Sequence, residues 1–209
     1  MSELEQPIKV VLIGESGVGK TSMISQFISN KFDPNIVTSS SSQSIKKTLD
    51  FGGRKSIIFD VWDTAGQENQ RNLTKNIYKD TKAIILVYDC TNKKSFEEMK
   101  EHWNKEINQM KDKGIVIAIA GNKNDLNGKR QIENKEGEDL AAQINAIFIS
   151  TSAKNGSGIK ALFEKIGQKL LDPNFYSVST EKKKKEDYNK RILQEPENDT
   201  GKKPIGSVI

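Results

Sequence analysis

Residues 14–21 read Gly-Glu-Ser-Gly-Val-Gly-Lys-Thr, the pattern G-x-x-x-x-G-K-[ST], and each part of it suits the holding of a polyphosphate. Glycines at 14, 17 and 19 let the backbone of Gly14, Glu15, Ser16, Gly17, Val18 and Gly19 wrap closely enough for its N–H groups to face phosphate oxygens. A helix beginning directly afterwards adds its positive end. Lys20 can then bridge a β- and a γ-phosphate, and the Thr21 hydroxyl can ligate Mg²⁺. Alone, this loop asks only for a nucleoside triphosphate and does not separate GTP from ATP.

The base is addressed further along. Asn122-Lys123-Asn124-Asp125 has the spacing N-K-x-D at the end of an apolar run, where an aspartate accepts two hydrogen bonds, from the guanine N1 proton and the exocyclic amine. Adenine offers no such pair of donors. Ser152-Ala153-Lys154 follows the last apolar run and offers a backbone N–H to the guanine carbonyl oxygen; adenine would leave that donor unpaired, at a cost of about 1–3 kcal/mol. Either segment alone is also compatible with an ordinary polar turn. Both together, in chain order after a phosphate loop, select guanine and disfavour a P-loop kinase or ATPase.

These segments need a scaffold that delivers them to one edge. Apolar runs at 8–13, 83–89 and 115–121 are short, rich in Val and Ile and nearly uninterrupted, as strands buried on both faces of a parallel sheet are. Between them lie longer segments of helical spacing. In Ser95 through Lys111, Phe96, Met99, Trp103, Ile107 and Met110 recur at steps of three or four, predicting an amphipathic helix with Ser95 and Glu98 as its capping box. Alternating segments at 45–51 and 55–62 flank Gly52-Gly53, which predicts a tight hairpin and one antiparallel edge strand. A helix near 134–144, a strand at 146–151 and a helix at 158–171 complete the pattern. The expected fold is α/β: a doubly wound, mostly parallel six-stranded sheet with helices on both faces and ligands at the strands' carboxyl ends.

Gly-Glu-Ser-Gly-Val-Gly-Lys-Thr, Trp62-Asp63-Thr64-Ala65-Gly66-Gln67-Glu68, Asn-Lys-Asn-Asp and Ser-Ala-Lys together resemble the Ras superfamily of small GTPases. Within it, the segment from Trp62 and the triplet Val87-Tyr88-Asp89 look like Rab proteins, over about residues 7–172. No Rho-type insertion follows Asp125, and the Asp-Thr-Ala-Gly-Gln form differs from that of the Arf group. The resemblance implies that Asp63 holds Mg²⁺ through water, that the Gly66 N–H meets the γ-phosphate, that Gln67 orients the attacking water and that Phe32 flanks the base. It also implies two switch segments, residues 32–44 and 66–78, ordered by γ-phosphate and Mg²⁺ contacts and released on cleavage. Exchange factor, activating protein and effectors are the partners it implies, and slow unaided hydrolysis is the activity.

Several positions depart from the family's pattern. Ser39 stands where the first switch carries its Mg²⁺-ligating threonine, and the run Ser39-Ser40-Ser41-Ser42 lacks the usual Ile-Gly that follows, so ordering it costs more entropy. Thr38 and Ser40 are alternative ligands. Of the aromatic triad that Rab effectors read, Trp62 and Tyr78 are present and Ser44 replaces a phenylalanine; strand packing for Trp62 and a helix surface for Tyr78 are the competing assignments. The terminus Pro204-Ile205-Gly206-Ser207-Val208-Ile209 contains no cysteine, and Ser2 rather than glycine follows the first Met. Neither prenylation nor myristoylation is therefore expected.

Composition narrows the remaining choices. A chain of 209 residues is expected to form one domain over residues 1–172, followed by a flexible polar tail over 173–209. The single Cys90 implies a reduced, partly buried thiol and a cytoplasmic setting. No apolar stretch approaches the roughly 18 residues of a membrane span, so neither secretion nor membrane integration is expected. The net charge of +5 is dispersed and accompanies no base-reading motif, which argues against nucleic acid. The tail's Lys182-Lys183-Lys184-Lys185, interrupted by nearby Glu181, Glu186 and Asp187, allows weak peripheral membrane contact only. His102, on the polar face of its helix, is expected to be exposed and without function. The expectation is a monomeric switch in vesicle traffic, recruited to endomembranes or a ciliary complex by protein partners. A low-turnover GTP- or GDP-bound adaptor subunit is the alternative.

Overall fold

The computed structural model describes residues 6–34, 44–53, 55–64, 78–102, 105, 108, 114–172 and 175. Its elements run β1 (Ile8–Ile13), α1 (Lys20–Ser29), β2 (Ser44–Asp50), β3 (Ser56–Asp63), β4 (Thr81–Asp89), α2 (Lys93–His102), β5 (Val116–Asn122), α3 (Asn134–Gln143), β6 (Ile147–Ser150) and α4 (Ile159–Leu171). The six strands form one sheet in the order β2-β3-β1-β4-β5-β6. Only the β2–β3 pairing is antiparallel. The α/β doubly wound expectation holds in every layer.

Strand pleat explains the layering. Along β1, Val10 and Leu12 point to a core shared with α1 and α4, while Val11 and Ile13 point to a second core on the opposite face. β4 and β5 are buried on nearly every residue for the same reason, since both their faces are covered. On the first face, Phe27 of α1 stacks on Phe163 of α4 at a centroid distance of 3.6 Å, and both meet Phe59 of β3 edge-on. Each of these rings is almost fully buried, which stabilises the fold by about 1.5–3 kcal/mol apiece. This aromatic cluster seats α1, and with it the loop that precedes α1, on the sheet.

The hairpin forms as its glycines require: Gly52 and Gly53 have φ of 76° and 59°, and the Phe51 N–H donates to the Lys55 carbonyl at 2.9 Å. Two details differ from the periodicity. The helix expected from Ser95 begins at Lys93, with Asn92 Oδ1 accepting the Ser95 N–H at 3.4 Å. Ser95 is not a cap but a buried first-turn residue whose hydroxyl donates to the Asn92 carbonyl at 2.7 Å and accepts the Asp89 N–H at 3.0 Å. Asn92, three residues past the strand, caps the helix three residues earlier than the serine could. The described helix ends at His102, and most of 103–111 lies outside the described residues.

No helix among the described residues is long and apolar enough to cross a membrane. Cys90 is more deeply buried than expected, 1% exposed, and burial pushes its thiol pKa above the usual value.

Candidate functional site

The carboxyl ends of β1, β4, β5 and β6 lie along one edge of the sheet, because these strands are parallel neighbours. The segment from Gly14 to Gly19 leaves β1 there. Gly14 passes so close to β4 that a Cβ would stand 2.2 Å from the Val87 carbonyl oxygen, and no side chain fits. Gly17 and Gly19 have φ of 78° and 98°, the conformation that glycine adopts without steric cost. Gly19 caps α1 directly, and Ser16 and Gly17 face solvent while Val18 is buried beneath them. A loop that needs glycine at these points for curvature and close approach is built to present backbone donors.

Lys20 is 4% exposed, and its Nζ donates to the carbonyls of Gly14 at 2.7 Å and Glu15 at 3.1 Å. The ammonium thus lies inside the concavity of its own loop, a buried cation placed where an anion would be compensated. Beside it, Thr21 Oγ1 donates to Asp63 Oδ2 at 2.6 Å. Asp63 ends β3 and Thr21 opens α1, so the pairing unites two oxygen ligands from distant parts of the chain. Next to Asp63, the Thr64 hydroxyl donates to the Leu12 carbonyl at 2.7 Å and pins the start of the following segment to β1. A hydroxyl and a carboxylate in contact form part of the donor set that Mg²⁺ takes, so the residues present fit that ion.

Asn122 connects three loops with one carboxamide. Its Nδ2 donates to the Val18 carbonyl at 2.8 Å, and its Oδ1 accepts the Ala153 N–H at 3.1 Å and the Thr151 hydroxyl at 3.3 Å. The phosphate loop, the end of β5 and the segment after β6 are therefore locked to one another. Gly19 is part of this lock, since a Cβ there would stand 2.5 Å from Asn122 Nδ2. Lys123 turns the chain out of β5 with φ 65° and ψ 32°, and a 3₁₀ segment, Asn124–Lys129, follows. That segment had no sequence signal beyond the motif itself. Asp125 is held by Ser152, whose hydroxyl donates to Asp125 Oδ1 at 2.5 Å.

In the Ser152-Ala153-Lys154 segment, the Ser152 N–H goes to the Ser157 carbonyl at 2.9 Å and the Ala153 N–H to Asn122. Lys154 is exposed at the mouth of the site. Phe32 follows α1 and is 38% exposed, a large apolar ring left facing solvent.

The structure thus brings together Gly14 to Thr21, Asp63, Asn122, Lys123, Asp125, Ser152, Ala153 and Lys154. Gly66, Gln67 and Ser39, with the alternatives Thr38 and Ser40, lie outside the described residues, as does the tail with Lys182 to Lys185. Trp62 is half-buried, with Nε1 donating to Asp60 Oδ2 at 3.1 Å and Lys9 Nζ 4.5 Å above the ring. Burial lowers the Lys9 pKa, against the pull of Asp80 and Asp60. His102 departs from expectation: it is half-buried, its Nε2 lies 3.2 Å from Tyr78 Oη, and it lines a cleft with Gly14, Glu15, Thr64 and Met99. The helical-face reading missed this because the partner comes from a segment 24 residues earlier.

Comparison with known proteins agrees with this geometry. A family model described as the Ras family matches residues 9–172. The chain is 40% identical over 163 residues to Ras-related protein Rab-22A of Homo sapiens, covering 78% of this chain and 83% of that one. It is 39% identical over 169 residues to Ras-related protein Rab-31 of Homo sapiens, covering 80% and 86%. The GTP-binding protein ypt5 of Schizosaccharomyces pombe is 38% identical over 163 residues, covering 78% and 77%.

Proposed function

Because the chain belongs to the Ras family and is a Rab-like small GTPase, we propose that it binds GTP and GDP with Mg²⁺ at this site and hydrolyses GTP slowly, as a switch in intracellular membrane traffic. The observation that carries the nucleotide reading is the Asn122 carboxamide, which ties the phosphate loop to both base-reading segments at once. Such a clamp makes phosphate and base recognition a single rigid surface.

Each residue then has a task. Backbone donors of residues 14–19 and the Lys20 ammonium receive the phosphates, the ammonium exchanging the loop carbonyls for phosphate oxygens. Thr21 and Asp63 hold Mg²⁺, which neutralises charge on the β- and γ-phosphates when bound. Ser39 completes the ion's ligands in the GTP state, with Thr38 and Ser40 as the alternatives. Asp125, oriented by Ser152, accepts from the guanine N1–H and amine. The Ser152-Ala153-Lys154 backbone lies toward the guanine carbonyl, with the Lys154 N–H as its donor since the Ala153 N–H is given to Asn122 Oδ1, and Phe32 covers the base. Gly66 meets the γ-phosphate and Gln67 orients the water for in-line attack.

Exchange factor, activating protein and effectors follow from the family likeness. The Rab-like kinship supports recruitment to endomembranes, with protein partners as the recruiting agent in this reading. None of the relatives named above supports a ciliary assembly.

The decisive experiment is titration of fluorescent GDP against Asp125→Asn. A carboxamide presents a donor where guanine also has one, so GDP affinity should fall about 100-fold or more and xanthosine diphosphate should become the better ligand. Equal GDP affinity in both proteins would remove the guanine reading, and competition by ATP in the wild type would replace it with an adenine site.

A further inference from the structure

Lys123 is in the left-handed region, with φ 65°, where a residue with a side chain bears steric strain that glycine does not. No glycine or asparagine lightens that strain, so surrounding contacts must over-determine the conformation. They come from the end of β4. Lys123 Nζ donates to Asp89 Oδ2 at 2.8 Å, with the Asp89 side chain 10% exposed. The other carboxylate oxygen, Oδ1, accepts the Thr91 N–H at 2.8 Å and the Thr91 hydroxyl at 2.7 Å, so Asp89 cannot swing away. The backbone is stitched as well: the Cys90 N–H donates to the Asn122 carbonyl at 3.0 Å.

The left-handed turn at Lys123 decides where the chain goes after Asn122. With it, Asn122 faces the phosphate loop while Asp125, three residues on, faces Ser152. Without it, Asp125 would leave the base edge. We propose that Asp89 is a positioning residue of the guanine site: its ion pair with Lys123 holds the left-handed turn that aims Asp125 at the base. The inference rests on the guanine reading above and extends it to a residue outside the base-reading motifs. Asp89 touches no nucleotide; it acts through Lys123.

The carboxyl of Asp89 agrees with this arrangement. Burial pushes its pKa up, but the hydrogen bonds from Lys123 and from the Thr91 N–H and hydroxyl outweigh burial and hold it below the ordinary value. The group is therefore charged at neutral pH, and the ion pair is intact.

The test uses Asp89→Asn in the full chain, which keeps shape and the Thr91 contacts and removes the charge. GDP and inosine diphosphate are titrated against wild type and variant. Inosine lacks the exocyclic amine, so the ratio of the two affinities reads how well Asp125 is aimed. The expected result is GDP bound about tenfold more weakly and the preference for GDP over inosine diphosphate reduced several-fold. A general loss of stability would weaken both ligands alike, so an unchanged ratio overturns the proposal. Should Asp89→Asn fold poorly, Lys123→Gln breaks the same pair from its more exposed side and should lower the ratio equally. In the double variant the two effects should not add; full additivity would mean that Asp89 acts by another route. A wild type without preference for GDP over inosine diphosphate would overturn the guanine reading and this inference together. A wild type with that preference and an unaltered Asp89→Asn overturns only this one.

Discussion

Thr21 Oγ1 and Asp63 Oδ2 are joined by a 2.6 Å hydrogen bond between the first turn of α1 and the last residue of β3. The hydroxyl proton lies between two oxygens that would both face one cation. In the proposed site the Thr21 hydroxyl would keep donating to Asp63 while a lone pair of its oxygen takes Mg²⁺ and Asp63 reaches the ion through water, which would link the ion to the relative position of α1 and β3. Thr21→Val keeps the shape and removes the oxygen. The expected outcome is that GDP release becomes insensitive to chelation of Mg²⁺, whereas chelation speeds release from the wild type. Stopped-flow release of fluorescent GDP with and without a chelator measures this; a retained response would place the ion elsewhere.

Gln67 is assigned the attacking water. Leucine neither donates to nor accepts from water, so Gln67→Leu should leave GTP affinity within about twofold and slow single-turnover cleavage at least tenfold, a barrier increase of about 1.4 kcal/mol. Equal, very slow cleavage by both proteins would favour the low-turnover adaptor.

Ser39 is the expected Mg²⁺ ligand of the GTP state. Ser39→Ala should weaken Mg²⁺-dependent binding of a GTP analogue while sparing GDP, and Thr38→Ala and Ser40→Ala should change little. Isothermal titration with both nucleotides separates the three positions, and a dominant effect at Thr38 or Ser40 would shift the register by one.

Cys90 is 1% exposed and its thiol pKa is raised, first by burial and then by the negative charges of Asp89 and Asp125, with Arg130 opposing. Thiolate is the reactive form, and a raised pKa lowers its fraction at any given pH below that value. In the native protein at pH 8 a disulfide reagent should react with Cys90 far more slowly than with the same chain in denaturant. Colorimetric thiol titration follows both rates, and comparable rates would show that the end of β4 opens readily.

Most of the scaffold was legible because its signals are local. Apolar Val/Ile runs marked β1, β4 and β5 to within two residues, and Gly52-Gly53 marked the hairpin. The phosphate loop and Asn122 to Asp125 were legible because function there fixes residue type at fixed spacing. What escaped depends on contacts between distant segments. Ser95 looked like a cap because the pattern cannot show that Asn92, three residues past β4, already caps the helix, nor that the Asp89 N–H donates to the serine hydroxyl. His102 looked exposed because its partner Tyr78 belongs to another segment. Asp89 had no motif signal as a partner of Lys123; parallel register alone brings the end of β4 beside the end of β5.

Gly167 packs against the Phe51 ring so closely that a Cβ would stand 2.1 Å from Cζ, which fixes the last turns of α4 to the hairpin. Gly158, at the other end of α4, abuts the Ser150 carbonyl where β6 ends. The helix therefore spans the molecule from the nucleotide edge to the opposite pole, about 20 Å for its thirteen residues. The described chain therefore leaves the sheet at the pole opposite the nucleotide edge, and a force applied at Leu171 would load the Phe51–Gly167 contact before it reached the phosphate loop.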